Sequence, residues 1–131
     1  MQSPAKLLHV EDDEDILMIA RMVLVDLGGY DLMQCASGAE AVEKAADFGP
    51  DMMILDYMMP GMNGLATLRA LRGLPGLADV PAAFMTAKVL DVPPDELKSL
   101  GVVGVIPKPF DPVSLPAQVN KLWLAAKGQG A

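Results

Sequence analysis

The residues able to do chemistry stand at the ends of short apolar runs. Glu11 and Asp12 open an acidic stretch, Glu11 to Asp15, directly after Lys6–Val10. Asp56 follows Met52–Leu55, Thr86 follows Pro81–Met85, and Lys108, followed by Pro109, comes after Val102–Ile106. If those runs are strands of one sheet, a carboxylate, a hydroxyl and an amine meet at one rim. Three carboxylates converging there repel one another, which favours protonation of one unless a cation intervenes. All-oxygen donors with two or three carboxylates and room for water suit Mg²⁺, with Mn²⁺ as a substitute. Taken alone, the acidic stretch also reads as a helix N-terminus stabilised by the macrodipole. That reading fits Asp13, Glu14 and Asp15. It explains Glu11 and Asp12 less well, because they lie on the strand side.

The elements that must position these groups alternate between strand and helix patterns. Lys6–Val10 reads as a buried strand. Asp13 to Leu27 carries apolar residues at helical spacing and closes on Gly28-Gly29. Tyr30 to Ala36 is a weaker strand. Ser37 with Glu40 forms a capping-box pattern that opens a helix to about Phe48. Met52 to Leu55 is apolar on both faces, as a central parallel strand requires. Asn63 caps a helix to about Arg72, and a loop follows to Asp79. Strands at Pro81–Met85 and Val102–Ile106 flank a short helix from Pro93-Pro94 to Leu100. The last helix begins at Asp111-Pro112, runs to about Lys127, and has an irregular first turn because Pro116 lacks a backbone N–H. Strand–helix repetition with right-handed crossovers gives a three-layer α/β sandwich. In such sheets ligands bind beyond the carboxyl ends of the strands, where the candidate groups lie.

Composition bounds the function. With 131 residues the chain makes one domain, and 52% hydrophobic residues exclude a disordered acidic tail. A net charge of −7 argues against nucleic-acid and anionic-membrane surfaces. The single cysteine, Cys35, excludes a disulfide framework and is read as buried. No apolar run approaches the ~20 residues of a membrane span. The first residues lack the apolar core of a signal peptide, and the chain is read as cytoplasmic. Gly-rich phosphate loops are absent. His9 is read as a satisfied core residue, most methionines as core filler, and Trp123 as partly buried. Met59 and Met62, beyond Asp56, are read as the methionines available to a partner.

The segments LLHVEDDEDI, MMILDYMMPGMNGL, FMTAK and GVIPKPFDP together resemble the receiver domain of two-component response regulators. The separations agree with that family: 44 residues from Asp12 to Asp56, 30 to Thr86 and 22 more to Lys108. The resemblance covers essentially the whole chain. It implies a flavodoxin-like α/β sandwich with a five-stranded parallel sheet in the order 2-1-3-4-5. It implies one receiver domain over 1–131, with a core of about 5–127 and a frayed tail at 128–131. Asp56 is then the phosphoacceptor. Asp12 binds Mg²⁺ (or Mn²⁺) directly, Glu11 does so through water, and Asp56 and the Met58 backbone carbonyl complete the metal site. Thr86 bonds the phosphoryl group, Lys108 pairs with it, and the Lys108-Pro109 peptide is cis. Such a protein is not a conventional enzyme; it supports its own phosphorylation and dephosphorylation. A sensor histidine kinase or a histidine phosphotransfer protein supplies the phosphoryl group, and a downstream protein reads the result. A stand-alone chain is expected, a monomer or a weak homodimer through the helix 4–strand 5–helix 5 face.

This chain departs from the family pattern at two places. Val105 replaces the aromatic that many receivers carry three residues before the lysine, so either Thr86 and its loop run the switch alone or another group reports it, with Phe84 and Phe110 as the candidates, although both are read as core. Met58 and Lys88 flank the phosphorylation site, and an apolar Met58 cannot orient water, so slow self-dephosphorylation is expected. Two other readings compete. An Mg²⁺-dependent phosphatase with an aspartyl nucleophile needs a second acid two residues on, where Met58 stands. A receiver-like binding module without phosphotransfer usually lacks an acidic or lysine position, and none is missing here.

Overall fold

Apolar runs become strands: β1 (Lys6–Val10), β2 (Asp31–Cys35), β3 (Met52–Asp56), β4 (Ala82–Thr86) and β5 (Val102–Pro107). They form one parallel sheet in the order β2-β1-β3-β4-β5. The structure, a computed structural model, describes residues 4–128. Of the tail expected to fray, only Gly128 lies among the described residues. The helices are α1 (Glu14–Arg21), α2 (Gly38–Phe48), α3 (Gly64–Arg72), α4 (Pro94–Ser99) and α5 (Leu115–Ala126). The expected sandwich and strand order are both present.

The layers follow from the two-residue period of the strands. In β1 and β3, Leu8, Val10, Met53 and Leu55 pack with Ala41 and Ala45 of α2 and Leu68 and Leu71 of α3. Leu7, Met52 and Ile54 face the other way, onto Ala20 of α1, onto Leu24 just after α1 and onto Leu115 and Val119 of α5. Burial on both faces makes β3 and β4 continuously apolar up to their last residue. β2 and β5, at the edges, are partly exposed.

Local side chains fix the helix starts. Asp13 accepts from the amides of Asp15 and Ile16, Ser37 from Glu40, and Asn63 from Ala66. Glu40 completes its box one residue further back than expected, on the Ala36 amide at 2.8 Å. The first helix is not α-helical to its end. From Met22 to Leu27 it widens into a π-helical segment, and the Gly28 amide bonds to the Val23 carbonyl at 2.9 Å. The wider turn keeps Val23 and Leu24 buried while bringing the chain to Gly28. The irregular start of α5 is resolved by a 3₁₀ turn, Pro112–Ser114, capped by Asp111. Pro116 then falls in the first turn of α5, where a missing N–H costs nothing, and its carbonyl accepts from the Tyr30 hydroxyl at 3.2 Å.

One glycine seats the loop after β3. A Cβ on Gly64 would lie 2.6 Å from the Asp56 carbonyl oxygen and 2.8 Å from the Tyr57 Cα, both backbone atoms. The Gly64 amide also donates to the Tyr57 carbonyl at 2.9 Å. Gly64→Ala is expected to cost about 1–3 kcal/mol, as overpacking against rigid neighbours does. Urea unfolding checks this, and an unchanged midpoint would refute the close approach.

Candidate functional site

Sheet register brings the acidic residues together. β1 and β3 run in parallel with Val10 beside Leu55, so the next step carries Glu11 alongside Asp56. The same alternation puts Glu11 on the face of Leu7 and Asp56 on the face of Ile54, so both carboxylates lie on the α1 side. Asp12 follows immediately and stays exposed. One oxygen from each of Glu11, Asp12 and Asp56 lies within 4.8 Å of the others. Lys108 arrives from the end of β5, next to β4. Its amide donates to the Thr86 carbonyl at 2.9 Å, which ties the lysine loop to the end of β4. The Lys108-Pro109 peptide is cis.

The lysine ammonium sits between two buried carboxylates. Nζ stands 3.0 Å from Asp56 Oδ1 and 3.0 Å from Glu11 Oε1. Glu11 is 0% exposed and Asp56 2%. Burial pushes the Glu11 carboxyl up to about 7, against the lysine and the Asp13 amide that hold it down. Burial raises the Asp56 carboxyl too, again opposed by Lys108. For the lysine, burial works against the charge, but its two carboxylate partners prevail and raise it. One ammonium therefore shares two carboxylates that the cleft desolvates, with a third acid at its mouth. Oxygen donors alone in a cluster this tight fit a hard divalent cation.

The other expected residues fall around this centre. Thr86 is buried at the end of β4, and its hydroxyl accepts from the Lys88 amide at 3.2 Å. No hydrogen bond joins that hydroxyl to Asp56 among the described residues. Met58 lies two residues past Asp56 with its side chain 57% exposed. Met59 is buried in the core on the α2–α3 side, so it is not the partner-facing methionine the sequence suggested. Phe84 is fully buried and Phe110 packs partly buried against the opposite core, while Val105 is 42% exposed.

Two features were not legible beforehand. Glu11 is the second partner of Lys108, although the sequence suggested only a water-mediated metal ligand. His9, two residues earlier on the same face, is only half satisfied. Its Nδ1 accepts from Gln34 Nε2 at 3.1 Å, and the same Gln34 group donates to the Leu17 carbonyl at 2.8 Å. Among the described residues Nε2 has no partner, and burial followed by the nearby Lys108 charge lowers the imidazole to about 4. The signal was Gln34, which faces His9 across the β1–β2 register.

Known proteins place this arrangement. The family described as response regulator receiver domain matches residues 7–120. The chain is 34% identical over 119 residues to the probable transcriptional regulator ycf29 of Pyropia yezoensis, covering 89% of this chain and 52% of that protein. It is 31% identical over 118 residues to the transcriptional regulatory protein CpxR homolog of Haemophilus influenzae, covering 90% of this chain and 50% of that one. The chain thus spans about half the length of these curated relatives. Among solved structures, the chemotaxis protein CheY4 of Vibrio cholerae aligns with a TM-score of 0.82 at 30% identity, over 90% of this chain and 98% of that one. The match runs from β1 into α5 and takes in all the strand ends described above, so the chain belongs to the response regulator receiver domain family.

Proposed function

We propose that this chain is a phosphoacceptor in a two-component phosphorelay, with Asp56 as the residue that receives the phosphoryl group. The observation that carries this reading is the Lys108 ammonium, 3.0 Å from Asp56 at the mouth of a cleft that also holds Glu11 and Asp12. An Asp56 carboxylate oxygen attacks phosphorus in line, forming an O–P bond as the N–P bond of a donor phosphohistidine breaks. The electron pair stays on the departing imidazole. Lys108 turns its charge from the Asp56 carboxylate to the phosphoryl oxygens and stabilises them. Glu11, Asp12, Asp56 and the Met58 backbone carbonyl would hold Mg²⁺, or Mn²⁺ in its place. When bound, the cation supplies neutralising charge for the acidic cluster and for the incoming oxygens. The chain itself is a substrate that assists its own modification and hydrolysis, not a turnover enzyme.

Phosphorylation adds roughly 1.5–2 negative charges beside β4, by analogy with other phosphorylated side chains. The Thr86 hydroxyl then exchanges the Lys88 amide for the new oxygens and draws residues 87–93 with it. That movement selects between two pre-existing arrangements of the α4–β5–α5 face, where a downstream protein reads the state. The donor is a sensor histidine kinase or a histidine phosphotransfer protein. No helix of the described residues is long and apolar enough to cross a membrane. A cytoplasmic setting, where kinases present phosphohistidine, suits the reading, with residues 5–127 acting as one receiver unit.

Incubation with Mg²⁺ and acetyl phosphate is expected to place one phosphoryl group on Asp56, detected by intact mass and peptide mapping. Asp56→Asn should abolish the label. Label persisting in that variant, or continuous turnover of phosphate esters, would refute the assignment. Met58 sets the lifetime in this account, because its thioether offers the attacking water no hydrogen bond. Met58→Asn is expected to shorten the phosphorylated half-life several-fold, read by loss of label after donor removal. An unchanged or longer half-life would contradict that role.

A further inference from the structure

The short helix α4 is fastened at one end and lightly held at the other. Its C-terminal end is tied to α3, to the 73–81 loop and to β4. Arg72, the last residue of α3, donates from Nε to the Leu100 carbonyl at 2.8 Å and from Nη1 to the Leu77 carbonyl at 2.7 Å. The Ala82 amide, at the start of β4, donates to the Gly101 carbonyl at 3.1 Å. Gly101 has a φ of +77°, and a Cβ there would stand 2.6 Å from Arg72 Nη2, so glycine is what lets the guanidinium come this close. The N-terminal end lacks such ties. No hydrogen bond joins the backbone of residues 89–96 to another element among the described residues. Pro93 gives α4 no side-chain cap, and no residue of the helix is buried. Val92 alone is buried between Ala87 and Ser99, and Val89 is 96% exposed. Glu96, in the first turn of α4, pairs with Arg69 of α3, the one ion pair α4 makes among the described residues. Arg69 stands one turn before Arg72, so one face of α3 holds both ends of α4.

Unequal attachment makes a lever. We propose that α4 swings about Leu100–Gly101, and that the Arg69–Glu96 pair is the catch that holds its first turn against α3. The two contacts differ in kind. Arg72 is half-buried and bonds backbone carbonyls, and breaking those bonds would leave desolvated donors and acceptors unpaired. The catch joins side chains that are 56% and 34% exposed, and ion pairs of that sort are weak and screened by salt. It therefore gives way before the hinge does, and the first turn leaves α3 while Gly101 keeps its bond to β4. The proposal deepens the phosphoacceptor reading and rests on it only for the driving step, since residues 87–93, which Thr86 draws along, enter α4 at the lightly held end. Opening frees the Glu96 carboxylate and the Arg69 guanidinium together. The two states thus differ in the charges they offer a downstream protein as well as in shape.

Paramagnetic broadening on the unphosphorylated full chain tests the lever, so the result does not depend on whether Asp56 accepts a phosphoryl group. A nitroxide is attached through Ala66→Cys, an exposed position on α3 one turn before Arg69, while the native Cys35 is buried. The tagged chain is compared with and without Arg69→Gln, which removes the pair and leaves the sequence of α4 unchanged. Broadening of the Asp95 and Leu97 amides is expected to fall about twofold in the variant, because losing an exposed ion pair shifts an equilibrium by about two- to fivefold. Broadening of Leu100 and Gly101, at the hinge, is expected to stay as it is without the substitution. High salt should reproduce the fall at Asp95 and Leu97 when Arg69 is present and add little to the variant. Unchanged broadening at Asp95 and Leu97 in the variant would overturn the catch. An equal fall at Leu100 and Gly101 would overturn the hinge, because the helix would then move as a whole.

Discussion

Two carboxylates buried against a single ammonium govern this molecule. Glu11 and Asp56 are almost completely removed from water, and Lys108 stands 3.0 Å from both. One positive charge cannot compensate two desolvated negative ones, and both carboxyls are displaced upward from their ordinary range. Such a cleft is under-neutralised by construction. It favours any additional positive charge, and with Asp12 at its mouth it offers oxygen donors alone. The chemistry proposed for Asp56 depends on that imbalance, because a carboxylate fully satisfied by fixed partners would be a poor nucleophile.

The imbalance is held in place by backbone geometry. Parallel register between β1 and β3 makes Glu11 and Asp56 neighbours, and strand alternation turns them to the same side. The Lys108 amide bonds to the Thr86 carbonyl, and the Tyr57 amide bonds to the Met85 carbonyl at 3.0 Å. The lysine loop and the loop after Asp56 are therefore both fastened to the end of β4. Thr86 stands at that end, and in the proposed function it is the group that converts a change of charge at Asp56 into movement. In the proposed function, with Val105 and no aromatic at that position of β5, the β4–α4 connection would carry the signal.

Most of this was legible in the sequence because the central strands are buried on both faces. Met52 to Leu55 and its flanking turns admit one reading, and the polar residue ending each such run had to lie at the sheet's carboxyl rim. The family motifs added the strand order, which periodicity alone could not supply. What was not legible depended on three-dimensional pairing. That Glu11 would be the second partner of Lys108 follows from the lysine's reach across the rim, which spacing does not reveal. The π-helical widening at Met22–Leu27 is a property of hydrogen-bond register, and its apolar pattern matches an ordinary helix. Met59 was misjudged because Pro60 and Gly61 mark a loop, and a loop residue can still turn its side chain into the core.

The central claim is that the cleft of Glu11, Asp12 and Asp56 takes a divalent cation. The most direct measurement is paramagnetic broadening of assigned amide resonances by substoichiometric Mn²⁺, followed by competition with Mg²⁺. The account predicts that residues 10–12 and 56–58 broaden first and that excess Mg²⁺ restores them. Broadening centred instead on Glu14 and Asp15, or indifferent to Mg²⁺, would contradict it.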